Sequence, residues 1–242
     1  MIIIYRQGLE LPNAAAASHN DVLIIIMGHG AKRMAEIRPI AGVLLAGGLG
    51  RRMGHGAIKP LRHLADRTLL AHAIDRSRPQ VDTLALNVNA EPERFTEYGL
   101  PIIADPVAGF VGPQAGILAG MEWAAGHGSA WVDSFACDAP FLPRDLVTRL
   151  IAVVERKGAD MGCARSGEQA HPVFSLWPTR LARSLHQALI EEDIRKVGHW
   201  MARYRVAYAD WPILPFDPFL NVNTPEELAA AEQATQLDMC PP

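Results

Sequence analysis

Residues 42–61, GVLLAGGLGRRMGHGAIKPL, run a short apolar strand straight into a glycine-rich, basic loop. The run over 42–46 has the length of a buried strand and no alternating polar face, so it belongs inside a sheet covered on both sides. Gly47, Gly48 and Gly50 let the backbone approach a ligand closely and turn successive N–H groups inward, because no Cβ stands in the way. Arg51, Arg52 and Lys59 add fixed positive charge beside those donors. A concave row of amides with cations at the carboxyl end of a strand is a site for polyphosphate. The loop reads as nucleotide-binding.

The rest of the chain supplies the sheet that such a strand needs. Short apolar runs predict strands over 43–46, 83–88, 102–104 and 131–136, each followed by turn residues. Helical patterns intervene over 69–78, 114–125 and 143–156. This alternation predicts an α/β fold, a mostly parallel sheet with helices on both faces. Thr224-Pro225-Glu226-Glu227 is a helix start in which Thr224 caps, Pro225 suits the first turn and Glu227 completes a capping box. The section 160–220 reads as less regular. The 242 residues fit one domain over 40–238, preceded by an extension over 1–39 that lacks a basic leader. Met34 lies close to the expected start of the domain, and a chain cut to begin there is expected to keep its activity.

Bulk properties exclude several function classes. Hydrophobic residues make up 49% of the chain, yet no apolar run approaches the roughly 20 residues of a membrane span. A net charge of -3 and a pI near 6.3 argue against nucleic acid or an anionic membrane as partner, since both demand a basic surface. Cys137, Cys163 and Cys240 lie far apart without C-x-x-C spacing, which suits a reducing cytoplasm and no disulfide framework.

Spacing narrows the nucleotide class. The P-loop requires a hydroxyl residue after its lysine, and here Pro60 follows Lys59. The dinucleotide fingerprint G-x-G-x-x-G fails because Gly54 falls one residue late. The ordered motifs are more restrictive. They are LAGGLGRRMG over 45–54, LNVNAE over 86–91 and IIADPVAGFVGPQAGILAGM over 102–121, then ACDAPFLP over 136–143, HPVFSLWP over 171–178 and NVNTPEEL over 221–228. Through these, from about residue 40 to 236, the chain resembles the molybdenum cofactor guanylyltransferases. One departure stands out: Ile58 precedes the lysine where that family usually has Asp.

The resemblance implies a single Rossmann-like nucleotidyltransferase domain that joins GMP from GTP to molybdenum-molybdopterin, with Mg²⁺ as metal. It places nucleotide contacts at Leu45, Ala46, Gly47, Gly48, Lys59, Asn87, Asp105, Gly112 and Asp138. Lys59, Arg51 and Asp138 would serve catalysis, with Asp138 holding the metal. Asp138 closes a strand, where a carboxylate is placed for magnesium but is equally at home capping a turn. An ionised Asp105 can accept from two N–H groups of guanine, a pattern adenine cannot offer, at roughly 1.5–3 kcal/mol per charged hydrogen bond. Its alternative is a plain turn residue before Pro106. Of Arg51 and Arg52, one is expected at the triphosphate and the other facing away.

The second substrate is assigned to the less regular half. Arg165, His171, Arg195 and Lys196 are candidates for the pterin phosphate, against the alternatives of solvated arginines and a core histidine. Asn221 and Asn223 share one face of an expected short strand, with Val222 on the other. They would orient metal waters or substrate, or else form turn hydrogen bonds. Trp123 and Trp131 read as core. Molybdenum cofactor biosynthesis proteins and molybdoenzyme chaperones are the implied cellular partners. A cytidylyltransferase is the chemical rival, though such relatives carry L-A-A-G where this chain has Leu45-Ala46-Gly47-Gly48. A non-catalytic nucleotide binder is the rival of another class.

Overall fold

The computed structural model describes residues 39–47, 58–107, 109 and 112–238. The expected extension, apart from Pro39, and the loop carrying Gly48, Arg51 and Arg52 lie outside the described residues. Strand β1, Ile40–Leu45, is the axis of the fold. Its side chains Ile40, Val43 and Leu44 are wholly buried, which requires cover on both faces.

The chain continues through a 3-10 turn at Lys59–Leu61 and the small hairpin β2 (His63–Leu64) and β3 (Arg67–Thr68) into helix α1, Leu69–Ser77. Then come β4 (Thr83–Asn87), β5 (Ile102–Ile103), α2 (Pro113–Gly126), β6 (Trp131–Ala136) and α3 (Leu146–Lys157). The last third adds β7 (Met161–Ser166), β8 (Gln169–Pro178), α4 (Ala182–Ile190), α5 (Val197–Met201), β9 (Val206–Trp211) and α6 (Pro225–Asp238). Seven strands form one sheet in the order β5-β4-β1-β6-β8-β7-β9. Pairing is parallel except on either side of β8. Helices α1 and α3 cover one face through Leu70, Ala73, Leu150 and Val154. Helices α2, α4 and α5 cover the other through Ile117, Met121, Leu185 and Trp200. The expected α/β fold, mostly parallel with helices on both faces, is the observed one. No helix among the described residues is long and apolar enough to cross a membrane.

Two expectations need correction. The section 160–220 is regular: it holds three strands and two helices. Its signal is broken because β8 carries Pro172, and the β7–β8 register shifts next to that point, between Cys163 and Ala164. A bulge frees the ladder position that proline cannot fill. Trp123 and Trp131 pack against the core but are only partly covered, while Trp177, Trp200 and Trp211 are the buried tryptophans.

Helix α2 lies so close to β1 that a glycine is required. A Cβ at Gly120 would stand 2.5 Å from Cγ1 of Val43. Alanine gains about 1 kcal/mol of helix propensity over glycine, but overpacking a tight core costs about 1–3 kcal/mol. Val43 is fully buried and stiff at χ1, so the clash wins. Gly120→Ala is expected to lower the urea midpoint, and a raised midpoint would mean that the helix can move off the strand.

Candidate active site at the strand ends

Three parallel strands stop at one level. Leu45 of β1 stands opposite Asn87 of β4 and Ala136 of β6, and the ladders continue one step further. The Ala46 N–H donates to the Asn87 carbonyl at 3.0 Å, and the Val88 N–H donates to the Ile103 carbonyl at 2.9 Å. Several residues at and just past these ends face the same space. The space is a cavity of about 350 Å³, lined by Leu45, Gly47, Asn87, Asn89, Asp105, Gly112, Pro113, Ala136, Asp138, Val173 and Asn221. That is the size of a small-molecule site, at the position where α/β sheets bind ligands.

The cavity's charged end is built from distant segments. The 3-10 turn at Lys59–Leu61 buries Pro60 and carries the Lys59 ammonium to the Asp138 carboxylate and the Asn223 side-chain oxygen. Both partners of the ion pair are well covered, with side chains 14% and 18% exposed. Asn223 is itself fixed by the capping box of α6. Glu227 accepts from the backbone N–H groups of Asn223 and Thr224, and its own N–H donates to the Thr224 hydroxyl. The segment 221–223 joins no sheet as a strand, so the expected short strand is absent. The alternation survives: Val222 is buried and its N–H donates to the Asp138 carbonyl, while Asn221 lines the cavity.

The opposite end is polar without a cation among the described residues. Asn87 is almost wholly buried and donates to Asp105 Oδ1 at 2.9 Å. Asn89 donates to Asp105 Oδ2 at 2.7 Å and accepts from the Asp105 N–H at 2.8 Å. The start of α2 closes this end. Gly112 there has φ +80°, a conformation that favours glycine, and no side chain caps the helix. Gly112 and Pro113 at this helix start line the cavity, and the positive end of a helix dipole favours an anion nearby.

The cavity brings together Leu45, Gly47, Asn87, Asp105, Gly112, Asp138 and Asn221 from the sequence reading, with Lys59 and Asn223 bonded at its charged end. Ala46 adjoins it, buried. Gly48, Arg51 and Arg52 fall outside the described residues. Arg165 pairs with Asp210, and Arg195 pairs with Asp193, both on exposed surface; neither they nor Lys196 line the cavity. His171 is half-buried, bonded to the Ser166 hydroxyl at 2.6 Å and stacked on Phe219 at 4.6 Å. Burial lowers its pKa, with Asp217 opposing in part. Cys137 is buried, and burial and then Asp138 push its thiol pKa up, away from the thiolate form. Sequence reasoning passed over Asn89, although the alternation in Asn87-Val88-Asn89 puts both amides on one face.

The chain is similar to known proteins over most of its length. The MobA-like NTP transferase domain family matches residues 42–206. A molybdenum cofactor guanylyltransferase of Rhodopseudomonas palustris (strain BisB5) is 52% identical over 207 residues, covering 85% of this chain and 98% of its own. The chain belongs to the molybdenum cofactor guanylyltransferase family. A second member, from Bradyrhizobium sp. (strain ORS 278), is 53% identical over 201 residues, covering 82% of this chain and 94% of its own. Among solved structures, the molybdopterin-guanine dinucleotide biosynthesis protein A of Archaeoglobus fulgidus is 26% identical with a TM-score of 0.64. It covers 81% of this chain and 99% of that protein. A 4-diphosphocytidyl-2C-methyl-D-erythritol synthase from Anaerococcus prevotii, 12% identical with a TM-score of 0.66, shares the fold across 84% of this chain and 99% of its own.

Proposed function

We propose that the cavity joins GMP from GTP to the terminal phosphate of molybdenum-molybdopterin, releasing pyrophosphate and giving the guanine dinucleotide form of the cofactor. The observation that carries this reading is the meeting of Lys59, Asp138 and the Asn87–Asp105 pair around one cavity, in a member of the guanylyltransferase family. An oxygen of the acceptor phosphate attacks the α-phosphorus, and the bond to pyrophosphate breaks with its electron pair on the leaving group. The acceptor is already anionic at neutral pH, so no general base and no protein nucleophile is needed. Catalysis is positioning plus electrostatics.

The residues fit Mg²⁺ rather than a caged structural metal. Among the described residues no group of three or more His, Cys, Asp or Glu gathers. Magnesium is commonly held by one or two carboxylates with substrate phosphates and water, and Asp138 supplies the carboxylate. The ion would neutralise charge on the phosphates. Lys59, held beside Asp138, stabilises the charge that builds on the α-phosphate as the bond stretches. The reading places the reaction in the cytoplasm, with GTP and molybdenum-molybdopterin as substrates.

The test is pyrophosphate release by purified protein with a molybdopterin-loaded acceptor and Mg²⁺, comparing GTP, CTP and ATP. Turnover confined to GTP is expected. Turnover with CTP would make the protein a cytidylyltransferase, and binding of GTP without turnover would make it a regulator. In the same assay Asp138→Asn is expected to raise the Mg²⁺ concentration for half-maximal rate about tenfold or more, the equivalent of one charged contact. An unchanged requirement would remove Asp138 from the metal.

A further inference from the structure

Asn89 occupies a position that the nucleotide reading leaves without a role. Its amide closes a ring with Asp105: the carbonyl accepts the Asp105 backbone N–H, and the NH₂ donates to carboxylate Oδ2. The amide's orientation is set by chemistry, because a backbone N–H can only donate and an ionised carboxylate can only accept. Asn87 holds the other carboxylate oxygen. Asp105 is thereby held at three points, two of them supplied by Asn89. The same amide nitrogen lies against Gly47, where a Cβ would come within 2.5 Å of it. One side chain thus ties together the first glycine of the phosphate loop, the end of β4 and the residue offered as the guanine reader.

We infer that Asn89 is the positioning residue for guanine selectivity. It rests on the guanylyl reading and on Asp105 accepting from the guanine N1–H and 2-amino groups. A carboxylate selects between bases only if its plane is fixed, since a rotating one finds water or another donor as readily. Three restraints leave each Asp105 oxygen with accepting capacity to spare, because an ionised carboxylate offers about four lone-pair sites. Asparagine is the residue type that can do this. Aspartate would lose the donor and set two carboxylates side by side, and alanine would lose both bonds. Asn89 touches no reacting atom, so its loss should spare the chemical step.

The experiment is steady-state pyrophosphate release with GTP, with ITP, which lacks the 2-amino group, and with ATP. It uses the wild type, Asn89→Ala, Asn89→Asp and Asp105→Asn, each checked by thermal melting. The wild type should prefer GTP over ITP in kcat/KM by about tenfold or more, the worth of a charged hydrogen bond. Asn89→Ala should collapse that preference to within about threefold through KM, with kcat at saturating GTP within about threefold of wild type. The isosteric Asn89→Asp should lose the preference as fully, and carries the test if the alanine variant does not fold. A retained GTP-to-ITP ratio, with all three nucleotides losing rate together, would make Asn89 merely structural and overturn the inference. If Asp105→Asn also keeps the ratio, the base is read elsewhere and the inference falls, while wild-type turnover of GTP leaves guanylyl transfer standing. A wild type inert toward GTP would overturn both.

Discussion

Replacing Lys59 with alanine is expected to lower kcat by about two to three orders of magnitude, the usual loss for removing one preorganised transition-state donor. The dissociation constant for GTP should rise by only about tenfold, since one charged contact is worth about 1.5–3 kcal/mol and this one stands at the low end in the ground state. The asymmetry follows from where the charge appears. In the ground state the α-phosphate carries one charge shared with its neighbours, and an ammonium there adds little to affinity. On the proposed mechanism, charge would concentrate on the α-phosphate as the bond to pyrophosphate stretches, and a cation with no reorganisation left to do would stabilise it most. Lys59 satisfies that condition because its ammonium is already fixed by Asp138 and Asn223, and its backbone sits in a 3-10 turn anchored by buried Pro60. Arginine should not restore the rate, since a planar fork cannot replace a compact charge seated between a carboxylate and an amide oxygen. Rapid-quench single turnover alongside calorimetric GTP titration separates the two quantities. Equal losses in kcat and affinity would move Lys59 to ground-state binding.

Much of this site is legible in the sequence, and the reason is local. Val43 and Leu44 announce a buried strand, and the glycine at 47 announces close backbone approach, because each property is written in the residue that has it. Asp138 and Asn87 follow from the same logic, as polar residues at the ends of apolar runs. What stays hidden is partnership across the fold. Lys59 and Asn223 lie 164 positions apart, and only the path of α6 and its capping box brings them together. The ring between Asn89 and Asp105 is hidden for the same reason, although both residues stand in quoted motifs. The regular structure over 160–220 is obscured differently. Strand β8 interrupts its own pattern at Pro172, and the bulge that accommodates the proline is a property of two strands at once. Arg165 and Arg195 show the limit of residue type as a guide: an arginine reads alike whether it meets a phosphate or a neighbouring aspartate, and here each has its aspartate.

Asp133→Asn is expected to stabilise the protein at pH 8 and to leave it nearly unchanged near pH 4. Asp133 sits inside β6, between Gly42 of β1 and Leu176 of β8, and is 0% exposed. Neither carboxylate oxygen meets a hydrogen-bond partner among the described residues. Burial alone therefore pushes its pKa well above the ordinary carboxylate range. Ionising it in place would cost several kcal/mol, so the native state keeps the proton that the unfolded chain releases. The native state then binds more protons than the unfolded state between the two pKa values. Stability contributed by this group is complete below the unfolded pKa and drains away as pH rises toward the folded one, at about 1.4 kcal/mol per pH unit. Asparagine has the same shape and no proton to hold, so it removes the slope while keeping the cost of an unpaired polar group. Urea unfolding of both proteins at pH 4, 6 and 8 measures the difference directly. The gain from asparagine should grow with pH and stop growing once the pH passes the folded pKa. Parallel stability curves for the two proteins would mean that Asp133 is ionised and paired in solution, and the buried acid would then be a member of a charge network rather than an isolated proton store.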